Sequence, residues 1–236
     1  MTIEVLYPEI CCLFGDKANA RYLSIALPDA DFVYTPLNEQ PRFVRENVDM
    51  IYLASMSESG QKLVTEALEP YRARLAELIE NGCVVLATGN AFEVFGDKII
   101  TEKGEELPGL ALVQIYTKRH MPRRANSLFL GDREGTTVVG YTSRFTDSFY
   151  LDGAEALFTV QKGYGMNEQE TREGIRKNNF FGTHLLGPIL IQNPDFTVEL
   201  EKLLGVESPV LPWEKEVREA YEVRLAEFSR DICFYD

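Results

Sequence analysis

Within the first hundred residues, short apolar runs alternate with stretches of helical periodicity, which directs the chain toward a parallel sheet covered by helices. Residues 2–7, 32–35, 50–54 and 84–87 read as strands. Residues 16–27 read as a helix, and 59–80 as a second, long one with Leu63, Ala67, Leu68, Leu75, Leu78 and Ile79 as its apolar positions. Asn81-Gly82 ends that helix, because glycine adopts the left-handed C-terminal conformation at little cost. After the strand at 84–87, Thr88-Gly89-Asn90 turns sharply into a short helix over 91–95.

From 98 to 165 the pattern changes to short strands separated by turns such as Lys103-Gly104, Gly131-Asp132 and Glu134-Gly135, which predicts an antiparallel layer of hairpins. Residues 180–185 read as another strand, and 195–204 and 214–230 as closing helices. The last carries Val217, Tyr221, Leu225 and Phe228 on one face. With no internal repeat and no linker, the expectation is a single domain over 1–236.

Charge and cysteine usage narrow the functional classes. A net charge of −13 argues against a general nucleic-acid or membrane-surface binder. No apolar run approaches the roughly 20 residues of a membrane span, and the N-terminus enters a strand without a signal-peptide layout, so a cytoplasmic protein is expected. Cysteines at 11, 12, 83 and 233 form no CxxC pair, which indicates neither a disulfide framework nor a zinc site. No metal and no cofactor is expected.

Three blocks carry a family resemblance. The first is Leu6-Tyr7-Pro8-Glu9 followed by Leu13-Phe14-Gly15-Asp16-Lys17-Ala18-Asn19; the second runs from Val85 through Thr88-Gly89-Asn90 to Gly96. The third joins Gly163-Tyr164-Gly165-Met166-Asn167, Glu173-Gly174, Gly182-Thr183-His184-Leu185-Leu186-Gly187-Pro188 and Asn193-Pro194. In order and spacing they resemble the cobyric acid synthase type of class I glutamine amidotransferase. The nearest in style are the glutaminase subunits of lipid II isoglutaminyl synthase, which partner a Mur-ligase-like protein in peptidoglycan precursor amidation. The resemblance implies a flavodoxin-like three-layer α/β fold, with a mostly parallel central sheet and an antiparallel hairpin layer.

Glutamine hydrolysis of this kind needs a cysteine nucleophile on a strained strand-to-helix turn, a histidine base and backbone N–H groups for the oxyanion. The resemblance places the family's cysteine at Gly89 and its histidine at Leu186, neither of which can do that chemistry. The glycine-rich turn after the third strand is replaced by Ala54-Ser55-Met56-Ser57. Loss of nucleophile, base and oxyanion turn together implies a pseudoenzyme, since removing one member of such a set costs orders of magnitude in rate. Glycine holds the elbow's backbone without a side chain.

Candidate substitutes are few. Cys11 and Cys12 follow the first strand, on the same sheet edge as the elbow, but cysteines there are more often small buried hydrophobes than nucleophiles. Cys83 enters the fourth strand and reads as core; Cys233 lies in the tail. His184 is two residues before Leu186, so a strand period would aim it at the same pocket. A basic cluster, Lys118-Arg119-His120-Met121-Pro122-Arg123-Arg124, reads most simply as a solvated hairpin. The resemblance also puts an arginine near the glutamine site, which makes Arg123 or Arg124 a candidate for holding a carboxylate or phosphate. Gly163-x-Gly165 lacks the strand–helix frame of a nucleotide loop and reads as a turn.

The expected pocket is therefore Ser55, Asn90, His184, Arg123 and Arg124, partly filled by Leu186 and Met56. The expected function is a degenerate, non-catalytic amidotransferase-like subunit of a Mur-ligase-like synthetase. Two alternatives stand beside it: an active glutaminase with displaced residues, and a stand-alone sensor of a small polar ligand.

Overall fold

The computed structural model describes residues 1–230; Cys233, read above as a tail residue, lies outside them. In chain order the first half comprises β1 (Thr2–Leu6), α1 (Lys17–Ala26), β2 (Asp31–Thr35), β3 (Met50–Leu53), α2 (Glu58–Leu68), α3 (Arg72–Glu80) and β4 (Val84–Thr88). Seven strands follow: β5 (Lys98–Ile100), β6 (Glu106–Pro108), β7 (Ile115–Arg119), β8 (Ala125–Arg133), β9 (Thr136–Arg144), β10 (Thr146–Tyr150) and β11 (Phe158–Lys162). The chain then returns through β12 (Arg172–Glu173), β13 (Ile175–Lys177) and β14 (Phe180–Thr183) and closes with α4 (Ile189–Gln192), α5 (Pro194–Leu203) and α6 (Glu214–Glu227).

A six-stranded sheet in the order β13-β14-β4-β3-β1-β2 forms the centre. It is parallel except for the β13–β14 pair. Its middle strands β3, β4 and β14 are buried along their whole length, which is why they read as unbroken apolar runs and not as alternating patterns. The core continues into a group of aromatic rings, with Phe95 packed edge-on to Phe180 at 5.0 Å and Phe181 edge-on to Phe196 at 6.0 Å. Inside this core, the Glu4 carboxylate accepts the backbone N–H groups of Arg42 and Phe43 and the Thr35 hydroxyl, anchoring the crossover between β2 and β3.

Two expectations need correction. The helix expected over 59–80 is two helices, α2 and α3, separated by a 3₁₀ turn over Glu69–Tyr71. Pro70 is the cause, because it has no N–H to donate and its ring clashes with the preceding turn. The expected hairpin layer is two separate four-stranded sheets, β10-β7-β5-β6 and β12-β11-β8-β9. The chain passes between them three times, through 120–124, through Phe145 alone between β9 and β10, and through 151–157. Within the first of them β5 and β7 run parallel; the other pairs are antiparallel. No helix among the described residues is long and apolar enough to cross a membrane.

Glu201 on α5 is fully buried, and neither carboxylate oxygen has a hydrogen-bond partner among the described residues. Burial raises its pKa to about 7, well above the ordinary carboxyl value. A folded-state pKa above the unfolded one means that folding takes up a proton. The resulting stabilisation is complete below about pH 4.5 and is lost as pH rises through about 7. Urea unfolding between pH 5 and 8 should show that loss, and Glu201→Gln should flatten the profile and be the more stable form at pH 8. A Gln variant with an unchanged slope would assign the pH dependence to another group.

Candidate functional site

Four segments that leave the carboxyl ends of neighbouring strands meet at one edge of the central sheet, the edge where open α/β sheets place their sites. They are the turn at 13–16 after β1, residues 54–57 after β3, Gly89 and Asn90 after β4, and 184–187 after β14. The Asp16 carboxylate joins them. It accepts the Ser55 N–H at 2.8 Å and the Thr88 hydroxyl at 3.0 Å, and it also takes the Gly187 N–H. Tyr52 braces the same turn, donating to the Asp16 carbonyl at 2.9 Å and receiving the Asn19 amide at 2.9 Å. Burial raises the Asp16 pKa to about 6, and these hydrogen bonds hold it below what burial alone would give.

Gly89 stands at the elbow between β4 and the 3₁₀ helix Gly89–Phe95, with φ of 60°, in the left-handed region. Its missing side chain leaves no gap. A Cβ built there would lie 2.6 Å from Ser55 Cβ and 3.1 Å from Leu186 Cδ2. Ser55 has little freedom to withdraw, because its N–H is held by Asp16, its hydroxyl donates to the Leu13 carbonyl at 3.0 Å, and its own carbonyl accepts the Leu13 N–H at 3.1 Å. Leu186 is buried and tied through its N–H to the Tyr141 carbonyl.

Beside the elbow lies a cavity of about 260 Å³. Of the five residues predicted to form the pocket, Ser55, Asn90, His184 and Arg124 line it, as do Leu186 and Met56. Arg123 does not: its guanidinium turns outward to pair with Glu168 at the surface. The polar atoms of Asn90 and Ser55 are already committed inside the protein, whereas His184 Nδ1 has no hydrogen-bond partner among the described residues. Asn90 clamps Met56 from both sides, accepting its N–H at 3.0 Å and donating to its carbonyl at 2.8 Å. Ser55 is pinned as described. His184 sits between two buried carboxylates, with Nε2 3.4 Å from Glu93 and Nδ1 3.4 Å from Glu173; Nε2 is also 3.3 Å from the Ser148 hydroxyl.

The cavity's remaining cations are Arg124, whose guanidinium lies 4.3 Å from the Phe145 ring, and Arg144, which is buried. No described cysteine lines the cavity. Cys11 is buried with its sulfur 3.9 Å from that of Met56, and burial pushes its thiol pKa far above the usual range; Cys83, also buried, is raised to about 12. His120, from the basic cluster, faces Asp147 at 3.1 Å on the surface. Gly163 has φ of 101° and packs against the β8 backbone at Leu128, the turn expected from its sequence.

Asp16, Glu93, Glu173 and Arg144 were missed as site residues by sequence reasoning. Asp16, Glu93 and Glu173 do occur inside the motif blocks, so a signal for them existed. Arg144 carries none, because it joins them only through the packing of the central sheet against the β9–β10 corner.

Comparison with known proteins places this arrangement. Residues 2–194 match the profile of the CobB/CobQ-like glutamine amidotransferase domain. The chain is 30% identical over 221 residues to the lipid II isoglutaminyl synthase (glutamine-hydrolyzing) subunit GatD of Staphylococcus aureus, covering 93% of this chain and 87% of that one. It is 24% identical to the GatD subunit of Streptococcus pneumoniae, covering 94% and 90%. Among solved structures, a glutamine amidotransferase superposes with a TM-score of 0.55 at 15% identity, over 86% of this chain and 99% of that one. Another, from Thermotoga maritima, gives 0.52 at 10% identity, over 97% and 92%.

The elbow geometry predicts that Gly89→Cys is destabilising by about 2–4 kcal/mol, the sum of a left-handed non-glycine residue and an overpacked contact. Adding Ser55→Gly should recover a substantial part of that loss in thermal or urea unfolding. A Gly89→Cys variant as stable as the parent would show that Ser55 and Leu186 yield easily, and that the elbow is not closed.

Proposed function

The chain belongs to the CobB/CobQ-like glutamine amidotransferase family, and from that premise we propose that it is a non-hydrolysing member, acting as the amidotransferase-like subunit of a Mur-ligase-like synthetase in peptidoglycan precursor amidation. One observation carries the reading: the position that should present a nucleophile is a glycine whose side-chain space is taken by Ser55 and Leu186. No base stands opposite it, since the residue at the histidine's place in the motif is Leu186 itself. His184 does not replace that base, because its ring nitrogens face Glu93, Glu173 and Ser148. A displaced thiol has little support either: Cys11 is buried against Met56, and the Cys12 sulfur faces the Glu9 carbonyl.

The partner is inferred from the two GatD relatives, whose names describe a subunit of lipid II isoglutaminyl synthase. In this reading the protein is a cytoplasmic, single-domain scaffold, and its architecture serves the surface that the synthetase recognises. The open cavity favours a second reading, in which the vacated site holds a small polar ligand and the protein reports on it.

Purified protein, alone or with its synthetase, should release no ammonia from glutamine above background over hours. Thiol alkylation serves as the control. Turnover that alkylation abolishes would overturn the proposal in favour of a displaced cysteine. Turnover that survives alkylation would overturn it in favour of chemistry without a thiol.

A further inference from the structure

Arg133 ends β8, immediately before the left-handed Glu134-Gly135 turn that joins it to β9, with φ of 51° and 86°. Ser127, Phe129, Gly131 and Arg133 are the inward positions of β8, so the strand's alternation carries a guanidinium into the interior. Only 5% of the Arg133 side chain is exposed. Its Nη1 pairs with Glu199, and the guanidinium lies 5.2 Å from the Phe181 ring. Nη2 is buried and has no hydrogen-bond partner among the described residues. This end of β8 is far from the elbow: at about 3.3 Å per residue, Arg133 stands roughly 26 Å along the strand from Ala125.

Arg133 borders a separate cavity of about 220 Å³, which Arg172, Arg176, Asp132 and Glu155 also line. The other two arginines differ in what they can offer. Arg172 is forked onto Glu170, with Nε at 2.9 Å and Nη2 at 2.8 Å. Arg176 lies 5.8 Å from the same Phe181 ring, gives Nε to the Asn178 carbonyl at 3.2 Å, and meets Glu134 through Nη1 at 3.2 Å. The Glu134 side chain is 75% exposed, so that pair is weak and easily exchanged.

A buried N–H without an acceptor is costly, and two guanidiniums gathered on one ring repel each other. A carboxylate placed between them removes both penalties, because its two oxygens match paired N–H groups. The rest of the lining selects the kind of carboxylate. Neither Asp132 nor Glu155 has a cationic partner among the described residues, so they oppose a plain anion and suit an ammonium, which supplies three donors. Ala156, Leu157 and Phe158 add apolar surface for a short side chain.

We propose that this cavity is a binding site for a small zwitterion of amino-acid size, its carboxylate on Arg133 and Arg176 and its ammonium on Glu155 and Asp132. It shares no lining residue with the cavity at the elbow, so it stands whether or not glutamine is hydrolysed there.

The test is calorimetric titration of the intact protein with L-alanine, and with acetate and ethylammonium as its two halves, at pH 7 and matched ionic strength. L-Alanine should bind saturably and raise the thermal midpoint, as ligands of the native state do. Each half should bind at least tenfold more weakly. Arg176→Ala and Glu155→Gln should each weaken L-alanine about tenfold, whereas Arg124→Ala at the elbow should leave its affinity unchanged. Arg133→Met should abolish binding; if it fails to fold, the Arg176 and Glu155 variants decide. No binding of L-alanine, acetate binding equally well, or binding undiminished in Arg176→Ala or Glu155→Gln would each overturn the inference. Binding lost in Arg124→Ala would overturn it too, by placing the ligand at the elbow.

Discussion

The Asp16 carboxylate is the interaction on which the site depends. It is buried, and it draws hydrogen bonds from Ser55, Thr88 and Gly187, residues that follow or end three different strands. Each strand of a parallel sheet ends in a loop free to choose its own path. One charged acceptor shared among three loops fixes those paths relative to one another, because a buried carboxylate that lost its donors would be left desolvated and unpaired. The elbow, the Ser55 turn and the segment carrying Leu186 are therefore positioned as a unit.

That unit explains how the elbow after β4 is held with no side chain at position 89. The left-handed turn at Gly89 is retained, and glycine satisfies it without strain. The volume a thiol would occupy is filled from the flank by Ser55, itself locked through Asp16 and Leu13. The bare glycine at the elbow and the closure of the space beside it are thus linked by one hydrogen-bond system.

The polar core behind the cavity has a second organisation. Glu93 receives the Thr146 hydroxyl and the Gln61 amide, Glu173 receives the Thr183 hydroxyl and the His184 N–H, and the His184 ring lies between the two carboxylates. These bonds tie the central sheet to the β9–β10 corner. Both carboxylates are satisfied in this way, while His184 Nδ1 is left without a hydrogen-bond partner among the described residues.

The residues alone determined the parallel sheet, because strands buried on both faces must be apolar throughout, and they determined the elbow at Thr88-Gly89-Asn90 and the absence of thiol and imidazole at positions 89 and 186. They did not separate the two antiparallel sheets, since hairpin patterns look alike whichever sheet they join. Pro70 was visible as a helix breaker, yet the apolar stripe on both sides of it concealed the break. Of the pocket, Ser55, Asn90, His184 and Arg124 could be named from motif position, but whether each was free or engaged could not. That was decided by tertiary structure: hydrogen-bond partners such as Ser148 and Glu173 for His184, or Met56 for Asn90, come from distant segments, and only their packing determines which donors remain for a ligand. Arg133 became a candidate for the same reason, its burial and its unpartnered Nη2 being properties of the assembled fold.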